Sequence, residues 1–298
     1  MILVTGANGN LGSATLAALR TRGATATGGS RTPRDGMRRL DFDDRAAIDL
    51  AGVSTLVLIS AGYAEDDQVV GRHAAVLDAA SRDGVRHIVY TSLTGTGDHL
   101  GFALAHRATE RLVRACGLPW TILRNGLYAE LFGGLLMWTA DGHGLESAFG
   151  DGALAAVTRA DLAEAAAIVA ADPAQHTGHT YELTGTPISA ADVADRLAVP
   201  HRTIGLGEYR RRLLDEVPDL SPFQPPMLAS IATAVRHNFL DATSADGADT
   251  NLAGILGRPV TDPLRTAVTA ASATRPEHSR TTAATTAATA TTTATQTA

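Results

Sequence analysis

The chain has 298 residues, 45% of them hydrophobic, and a net charge of −6 at pH 7, enough for one large α/β domain or two small ones around a real core. The acidic balance offers no basic field to a nucleic acid. All 25 basic residues are arginine, which excludes Schiff-base chemistry, a Walker lysine and any tyrosine–lysine catalytic pair.

In chain order, MILVT reads as a buried strand and Asn10 to Arg22 as a small-residue helix. ATATGG is a weaker second strand and GMRRLDF a short third. STLVLIS is a strongly apolar fourth strand, followed by a helix from about Asp67 to Arg82. RHIVYTS is the fifth, with a helix from about Leu104 to Cys116 behind it, and PWTILRN the sixth. This alternation predicts an α/β protein with a doubly wound parallel sheet of Rossmann type. Strands that read as continuous apolar runs fit a sheet covered on both faces. Cys116, the single cysteine, sits late in an apolar helix and reads as a buried structural thiol; no intrachain disulfide or thiolate cluster can form.

After Asn125 a glycine-rich loop gives way to an Ala-rich helix, a late strand in HTYELTG, and a helix in ISAADVADRLA opened by Ser189 with Asp192 three residues on. EYRRRLLDE and PPMLASIATAVRHNFLD are further helices around a Pro-rich link. Residues 1–130 are therefore expected to form a dinucleotide-binding domain to which 155–185 return. Residues 131–268 are expected to form a small, mostly helical substrate-side cap. From Thr269 to the end, 269–298, the chain is Thr/Ala-rich without aromatic residues and is expected to be disordered. The opening apolar run breaks at Gly6 and no stretch approaches ~20 apolar residues, so a cytoplasmic protein without a membrane partner is expected. His176 and His179 lie in a polar loop without a third ligand, and no metal site is read.

Gly6, Gly9 and Gly12 recur every three residues between the first strand and its helix. Gly6 permits the tight turn, Gly9 lets a pyrophosphate approach the backbone, and Gly12 lets the helix pack on the strand. The unpaired amides and dipole of the helix N-terminus favour the phosphates. At the end of the second strand stands no acid to hold a ribose 2′-hydroxyl. Arg31 stands there, with Arg34 nearby, and a guanidinium suits a 2′-phosphate, so NADP(H) is expected in preference to NAD(H). Asp41 and Phe42, after the third strand, are placed to read an adenine edge. Ser60, Ala61 and Gly62 end the fourth strand with small side chains, as a chain passing a ribose requires, and Tyr63 follows. Thr91 and Ser92 end the fifth strand, where carboxyl ends line the ligand crevice; loop capping is the other reading of these hydroxyls.

Taken together, VTGANGNLG, SRTP, VLIS, YTSL, ILRNGLYAE, VTRADLAEAAA and YELTG resemble, in the same order, the motifs of the NmrA-like branch of the atypical short-chain dehydrogenases. The resemblance covers roughly residues 1–265 and is weakest after Ser189. It is greatest to the quinone-reducing members of the branch. It implies a Rossmann domain holding NADP(H) and a small C-terminal domain over the substrate. By motif, Gly6, Ala7, Asn8, Gly9, Asn10 and Leu11 would cradle the pyrophosphate and Arg31 the 2′-phosphate. Asn125, Gly126, Tyr128, Glu130 and Arg159 would line the nicotinamide and substrate side. Arg159 reads equally as a member of a surface ion pair with Asp161 or a neighbour.

Ordinary short-chain dehydrogenases carry Tyr-x-x-x-Lys on the helix after the fifth strand. Here that helix reads ALAHRATERL, with His106 and Glu110 at i, i+4, and alcohol oxidation by the Tyr–Lys device is not expected. A quinone or similar conjugated carbonyl asks for less, because hydride transfer leaves a stabilised phenolate-like anion and positioning supplies most of the acceleration. The candidate catalytic residues are His106, as a neutral-pH proton donor, and Tyr128. Tyr63 and Tyr128 are placed to stack on a flat aromatic substrate. His106 also reads as a plain helix-surface histidine. Two other functions stay open: a nucleotide-binding redox sensor without turnover, and a tailoring reductase of secondary metabolism. A homodimer is compatible with the sequence.

Overall fold

A computed structural model describes residues 1–60, 64–217, 220–241 and 252–276. The first half runs β1 (Ile2–Val4), α1 (Asn10–Thr21), β2 (Ala26–Ser30), β3 (Arg38–Arg39), β4 (Thr55–Ile59), α2 (Asp66–Arg82), β5 (His87–Leu93), α3 (Ala103–Ala115) and β6 (Trp120–Asn125). The second half continues with α4 (Ala129–Gly134), β7 (Met137–Trp138), β8 (Leu145–Ser147), β9 (Ala153–Ala155) and α5 (Arg159–Ala171), then β10 (Thr180–Leu183), β11 (Pro187–Ser189), α6 (Ala190–Leu197) and β12 (His201–Thr203). It ends with α7 (Leu206–Glu216), α8 (Gln224–Arg236), α9 (Leu252–Leu256) and α10 (Pro263–Ala273).

Seven strands form one parallel sheet in the order β10-β6-β5-β4-β1-β2-β3. Alternate side chains of each strand serve opposite layers, as a period of two dictates. Val4, Val57, Val89 and Leu123 pack with Leu16 and Leu19 of α1 and Leu162 and Val169 of α5. Leu3, Leu56, Ile88, Tyr90 and Ile122 pack with Val76 and Ala80 of α2 and Val113 of α3. Both faces are thus buried, which is why β1, β4 and β5 read as unbroken apolar runs. The chain leaves β1 for β2 on one side and reaches β4 on the other. That reversal opens a crevice beyond the carboxyl ends of β1 and β4, where ligands bind in doubly wound sheets.

The remaining elements build a cap with its own core of Phe132, Trp138, Phe149, Tyr209, Leu213, Ile231 and Val235. The cap is mostly helical, and it also includes an antiparallel pair, β11-β9, and a three-stranded sheet, β12-β8-β7. Ser189 and Asp192 form the expected capping box: the Asp192 amide donates to Ser189 Oγ at 3.1 Å and the Ser189 amide to the Asp192 carboxylate at 2.8 Å. β10 and α5 return to the nucleotide half, and so does α9, whose Leu252 and Leu256 pack beside α5.

Two expectations are corrected. The chain from Thr269 to Ala273 is helix, the last part of α10, and is not disordered; Ala267 and Ala271 are fully buried and the Ala271 carbonyl accepts a hydrogen bond from Trp138 Nε1 at 2.8 Å. Asp161 does not pair with Arg159. Its buried carboxylate accepts from Arg258 Nη2 and Thr261 Oγ1, each at 2.8 Å, and from the Thr261 amide at 2.6 Å, clasping the segment after α9 to α5. No described helix is long and apolar enough to cross a membrane.

Candidate functional site

The glycine turn closes in a geometry that suits an anion. Gly6 adopts φ +59°, and the Gly9 amide closes the turn on the Gly6 carbonyl at 2.9 Å. The first helical bond of α1 runs from the Ser13 amide to the Gly9 carbonyl at 2.9 Å. Among the described residues, the amides of Asn10, Leu11 and Gly12 are left without a backbone partner, and they line the cleft. A Cβ on Gly12 would stand 2.3 Å from the Gly6 carbonyl oxygen, so only glycine lets the helix begin here. Ala7 lies elsewhere than in the cleft lining: it is buried, and its amide is bonded to the Gly29 carbonyl at 3.2 Å, holding the turn against β2.

The end of β2 carries a cation. Arg31 is exposed on the cleft wall, and no carboxylate lies within 4 Å of it among the described residues. Asn8 spends its amide nitrogen on the Ser30 hydroxyl at 2.8 Å and the Thr32 carbonyl at 2.7 Å, which fixes the Arg31 loop beside the glycine turn. Asp41 and Phe42 line the same wall, whereas Arg34 is exposed away from it. Asp43 brings an acid into this corner, but Arg72 of α2 holds it in a bidentate pair at 2.7 and 2.8 Å. That bond and the nearby Arg31 charge keep the Asp43 carboxyl below its ordinary value despite some desolvation. Arg72 gave no sign of itself in the sequence, since it meets Asp43 only through the packing of α2 beside the loop after β3.

The strand ends form the floor. Ser60, Thr91, Ser92, Asn125 and Gly126 all line the cleft; Ala61, Gly62 and Tyr63 lie outside the described residues. Thr91 Oγ1 accepts from the Ser60 amide at 3.3 Å. Ser92 donates its hydroxyl proton to Glu110 at 2.7 Å, so toward the cleft it can only accept. Glu110 is itself a hub, bonded to Arg107 at 2.9 Å, Arg114 at 3.1 Å and Arg124 at 2.8 Å. It therefore acts with three arginines and not with His106, although the two share a helix. Asn125 is buried, and its Oδ1 has no hydrogen-bond partner. A buried acceptor left unmet in this way has room for a donor from water or from a ligand.

The far wall belongs to α3, the α4 entry and α8. Tyr128 precedes α4 and lies on the cleft, with the Arg159 guanidinium 4.9 Å above its ring centroid. Glu130 is not a lining residue; both its carboxylate oxygens accept from the Arg159 amide, at 3.1 and 3.3 Å, and cap the start of α5. His106 does face the cleft, with Nδ1 3.0 Å from the hydroxyl of the buried Tyr90. Desolvation and the Arg107 charge lower its pKa to about 4, so at neutral pH it is an uncharged imidazole. Phe102, Leu131, Phe223, Pro226, Met227 and Ile231 complete an apolar wall that the sequence reading missed. The isolated Phe223 in a Pro-rich link was its only local signal. Cys116 is half-buried outside the cleft and its thiol donates to the Val113 carbonyl at 3.1 Å.

The whole cleft encloses about 1350 Å³, beyond the span usual for one small ligand, so a dinucleotide and a second molecule fit together. Open amides at α1, space kept by glycine, an unopposed guanidinium after β2 and an unmet acceptor at β6 form a set of polar groups that suits a pyridine dinucleotide phosphate.

Comparison with known proteins agrees with this geometry. The profile of a family described as NAD(P)H-binding matches residues 6–173. The chain is 40% identical over 152 residues to quinone oxidoreductase 2 of Escherichia coli strain K12, a match covering 50% of this chain and 52% of that protein. The match thus spans about half the length of that curated relative. Among solved structures, the Citrobacter sp. triphenylmethane reductase complexed with NADP(H) superposes with a TM-score of 0.79 at 27% identity, covering 91% of this chain and 99% of that one. An NADPH-dependent quinone oxidoreductase from Escherichia coli, complexed with NADPH, gives a TM-score of 0.76 at 30% identity, covering 90% and 98%. The chain belongs to the NAD(P)H-binding family.

Proposed function

We propose that this protein is an NADPH-dependent oxidoreductase whose acceptor is a quinone or a similarly conjugated carbonyl compound. The nucleotide half, residues 1–130 with 155–185, holds the dinucleotide, and the cap, residues 131–268, supplies the acceptor side. The α1 amides bind the pyrophosphate, and Arg31 binds the 2′-phosphate because, among the described residues, no carboxylate pairs with it and Asp43 is held by Arg72. Asn125 Oδ1 takes a donor from the nicotinamide carboxamide, and Ser92 can only accept there. When bound, the cofactor supplies hydride from its nicotinamide ring. The same requirement for a metabolic nucleotide fits a cytoplasmic location.

The observation that carries this reading is the composition of the acceptor chamber. Its wall is apolar, its aromatic face is Tyr128, and its charge is Arg159, which no carboxylate neutralises among the described residues. A flat, electron-poor, uncharged molecule fits such a wall, and a guanidinium favours the anion that forms on it after hydride arrives. Glu110 cannot serve as an acid, because three arginines hold it ionised. The chemistry therefore suits an acceptor whose reduced form needs no strong acid in the site.

The test is NADPH oxidation followed by absorbance with simple and polycyclic quinones, with Arg31→Ala as the cofactor control. Turnover on quinones with a preference for NADPH that Arg31→Ala abolishes is the expected result. Tight NADP(H) binding without turnover on any acceptor would replace the proposal with a nucleotide sensor.

A further inference from the structure

One buried phenol has no place in the cofactor site, yet touches a residue of the acceptor chamber. Tyr90 lies in the middle of β5 with no exposed surface, its ring edge-on to His73 at 5.7 Å between centroids, and its hydroxyl 3.0 Å from His106 Nδ1. From this geometry we infer that Tyr90 is a positioning residue that locks His106 in the tautomer with its proton on Nε2, so that the ring offers a neutral N–H donor to the acceptor's carbonyl oxygen. The inference rests on the proposed quinone-type acceptor for its catalytic part.

Two arrangements could join a phenol to an imidazole nitrogen. Either the phenol donates to Nδ1, or a proton on Nδ1 donates to the phenol oxygen and the phenol proton must go elsewhere. Within reach of Tyr90 the other hydroxyls are those of Thr109 and Ser60. The Thr109 oxygen already lies 2.8 Å from His73 Nδ1, and its own proton goes to the Ala105 carbonyl at 2.8 Å. The imidazole nitrogen is the stronger acceptor, and it is the one the phenol takes. Burial acts in the same sense on both partners: it raises the Tyr90 pKa, so the phenol keeps its proton, and it lowers that of His106, so the ring stays neutral. With Nδ1 turned into the core toward Tyr90, the edge of the ring bearing Nε2 is left for the cleft that His106 lines.

A neutral imidazole is too weak an acid to give up its Nε2 proton here. It donates a hydrogen bond to the carbonyl oxygen as charge develops there. The balance is two electrons and one hydrogen from the reduced nicotinamide as hydride, and one proton from water to the oxygen, giving the hydroquinone. His106 ends the turnover in the state in which it began.

The experiment has two readouts on the NADPH-bound protein. Nitrogen-15 imidazole spectra, assigned by the loss of one ring in His106→Ala, should show His106 with Nε2 protonated and Nδ1 bare, and a tautomer mixture in Tyr90→Phe. In steady-state kinetics Tyr90→Phe should lower kcat about tenfold, the low end for losing an orienting partner, and should cost nothing further in the His106→Ala background. A merely structural Tyr90 would cost the same in both backgrounds. A protonated Nδ1 in the wild type, or equal losses in the two backgrounds, overturns the inference. If no quinone is reduced but the spectra are as expected, the quinone reading falls and the Tyr90–His106 lock stands.

Discussion

The Arg159 guanidinium stacks 4.9 Å above the Tyr128 ring while its own backbone amide is held by Glu130. The pair is thus fixed from two sides: Glu130 sets where α5 begins, and Tyr128 sets where the side chain lies. Among the described residues no carboxylate pairs with this stacked guanidinium, which keeps its charge available to a ligand, at a stacking energy of about 0.5–2 kcal/mol. Removing it with Arg159→Ala should lower kcat/KM for a quinone about tenfold, or ~1.4 kcal/mol of transition-state stabilisation. The dissociation constant of NADPH should stay near the wild-type value. Arg159→Lys should recover little, because an ammonium does not stack as a planar guanidinium does. If the alanine variant instead binds NADPH poorly and turns over what it binds at the normal rate, Arg159 belongs to the nucleotide and not to the acceptor.

Arg31 and Arg72 make a second, separable prediction. Arg31→Ala removes charge-assisted hydrogen bonds worth about 1.5–3 kcal/mol, so NADPH binding should weaken roughly tenfold to a hundredfold while NADH binding is unchanged. Arg72→Met acts indirectly: it releases the Asp43 carboxylate beside Arg31. NADPH binding should then weaken by about threefold, the scale of a partly exposed charge pair. Calorimetric titration of both variants with both cofactors checks this, and equal losses for NADH and NADPH in Arg31→Ala would remove Arg31 from the 2′-phosphate site.

The nucleotide half was legible because its signals are local. Long apolar strands, a glycine turn and the missing acid at the end of β2 are all read within ten or so residues, and the sheet then places Ser60, Thr91 and Asn125 together by topology alone. What escaped was long-range or low in contrast. The pairs Asp43–Arg72 and Tyr90–His106 join different elements, and nothing in either local stretch names its partner. Strands β7, β8, β9, β11 and β12 have only two or three residues each, too few for a period to register. Helix α10 looked like low complexity because it buries alanines. It can do so because α4 presents Gly133, where a Cβ would lie 2.1 Å from the Ala267 carbonyl oxygen. Close backbone approach replaces bulky side chains there, and a search for large apolar residues passes over it.

His73 predicts how the fold responds to acid. It is fully buried, with Nδ1 bonded to Thr109 Oγ1 at 2.8 Å. Desolvation above all, with the Arg72 charge and, once it is protonated in acid, His106 beside it, lowers its pKa to about 3. An unfolded chain protonates the same ring near 6.5. Between those values the unfolded state binds a proton that the folded state refuses. Stability from this group is therefore complete above about pH 6.5 and declines as the pH falls, by about 1.4 kcal/mol per unit. In His73→Gln the loss of stability between pH 7 and pH 5 should be smaller than in the wild type by about 2 kcal/mol. Urea midpoints at the two pH values measure it, and parallel pH dependence in both proteins would mean that His73 is already protonated in the fold or never exposed on unfolding.

Glu110 makes the last prediction, because it is the carboxylate on which β5, β6 and α3 converge. Burial opposes its ionisation, but hydrogen bonds from Arg124 and Ser92 and the charges of Arg124 and Arg107 overcome that and hold its carboxyl at about 2. Its contribution is therefore present above its ordinary value of 4.5 and is lost as the pH falls toward 2. Glu110→Gln keeps the shape and removes the charge. Arg124 retains Glu182 at 3.0 Å and Arg107 retains Asp98 at 2.6 Å, so neither guanidinium is left bare. The cost should accordingly lie at the low end for breaking a buried pair, about 3 kcal/mol. For a chain of this size that lowers the melting midpoint by roughly 6–12 °C. Ser92 keeps an acceptor in the glutamine amide oxygen, so NADPH affinity should hardly move. A midpoint within about 2 °C of the wild type would mean that solvent and the remaining acids already satisfy the arginines, and that Glu110 orients Ser92 without holding the sheet to its helix.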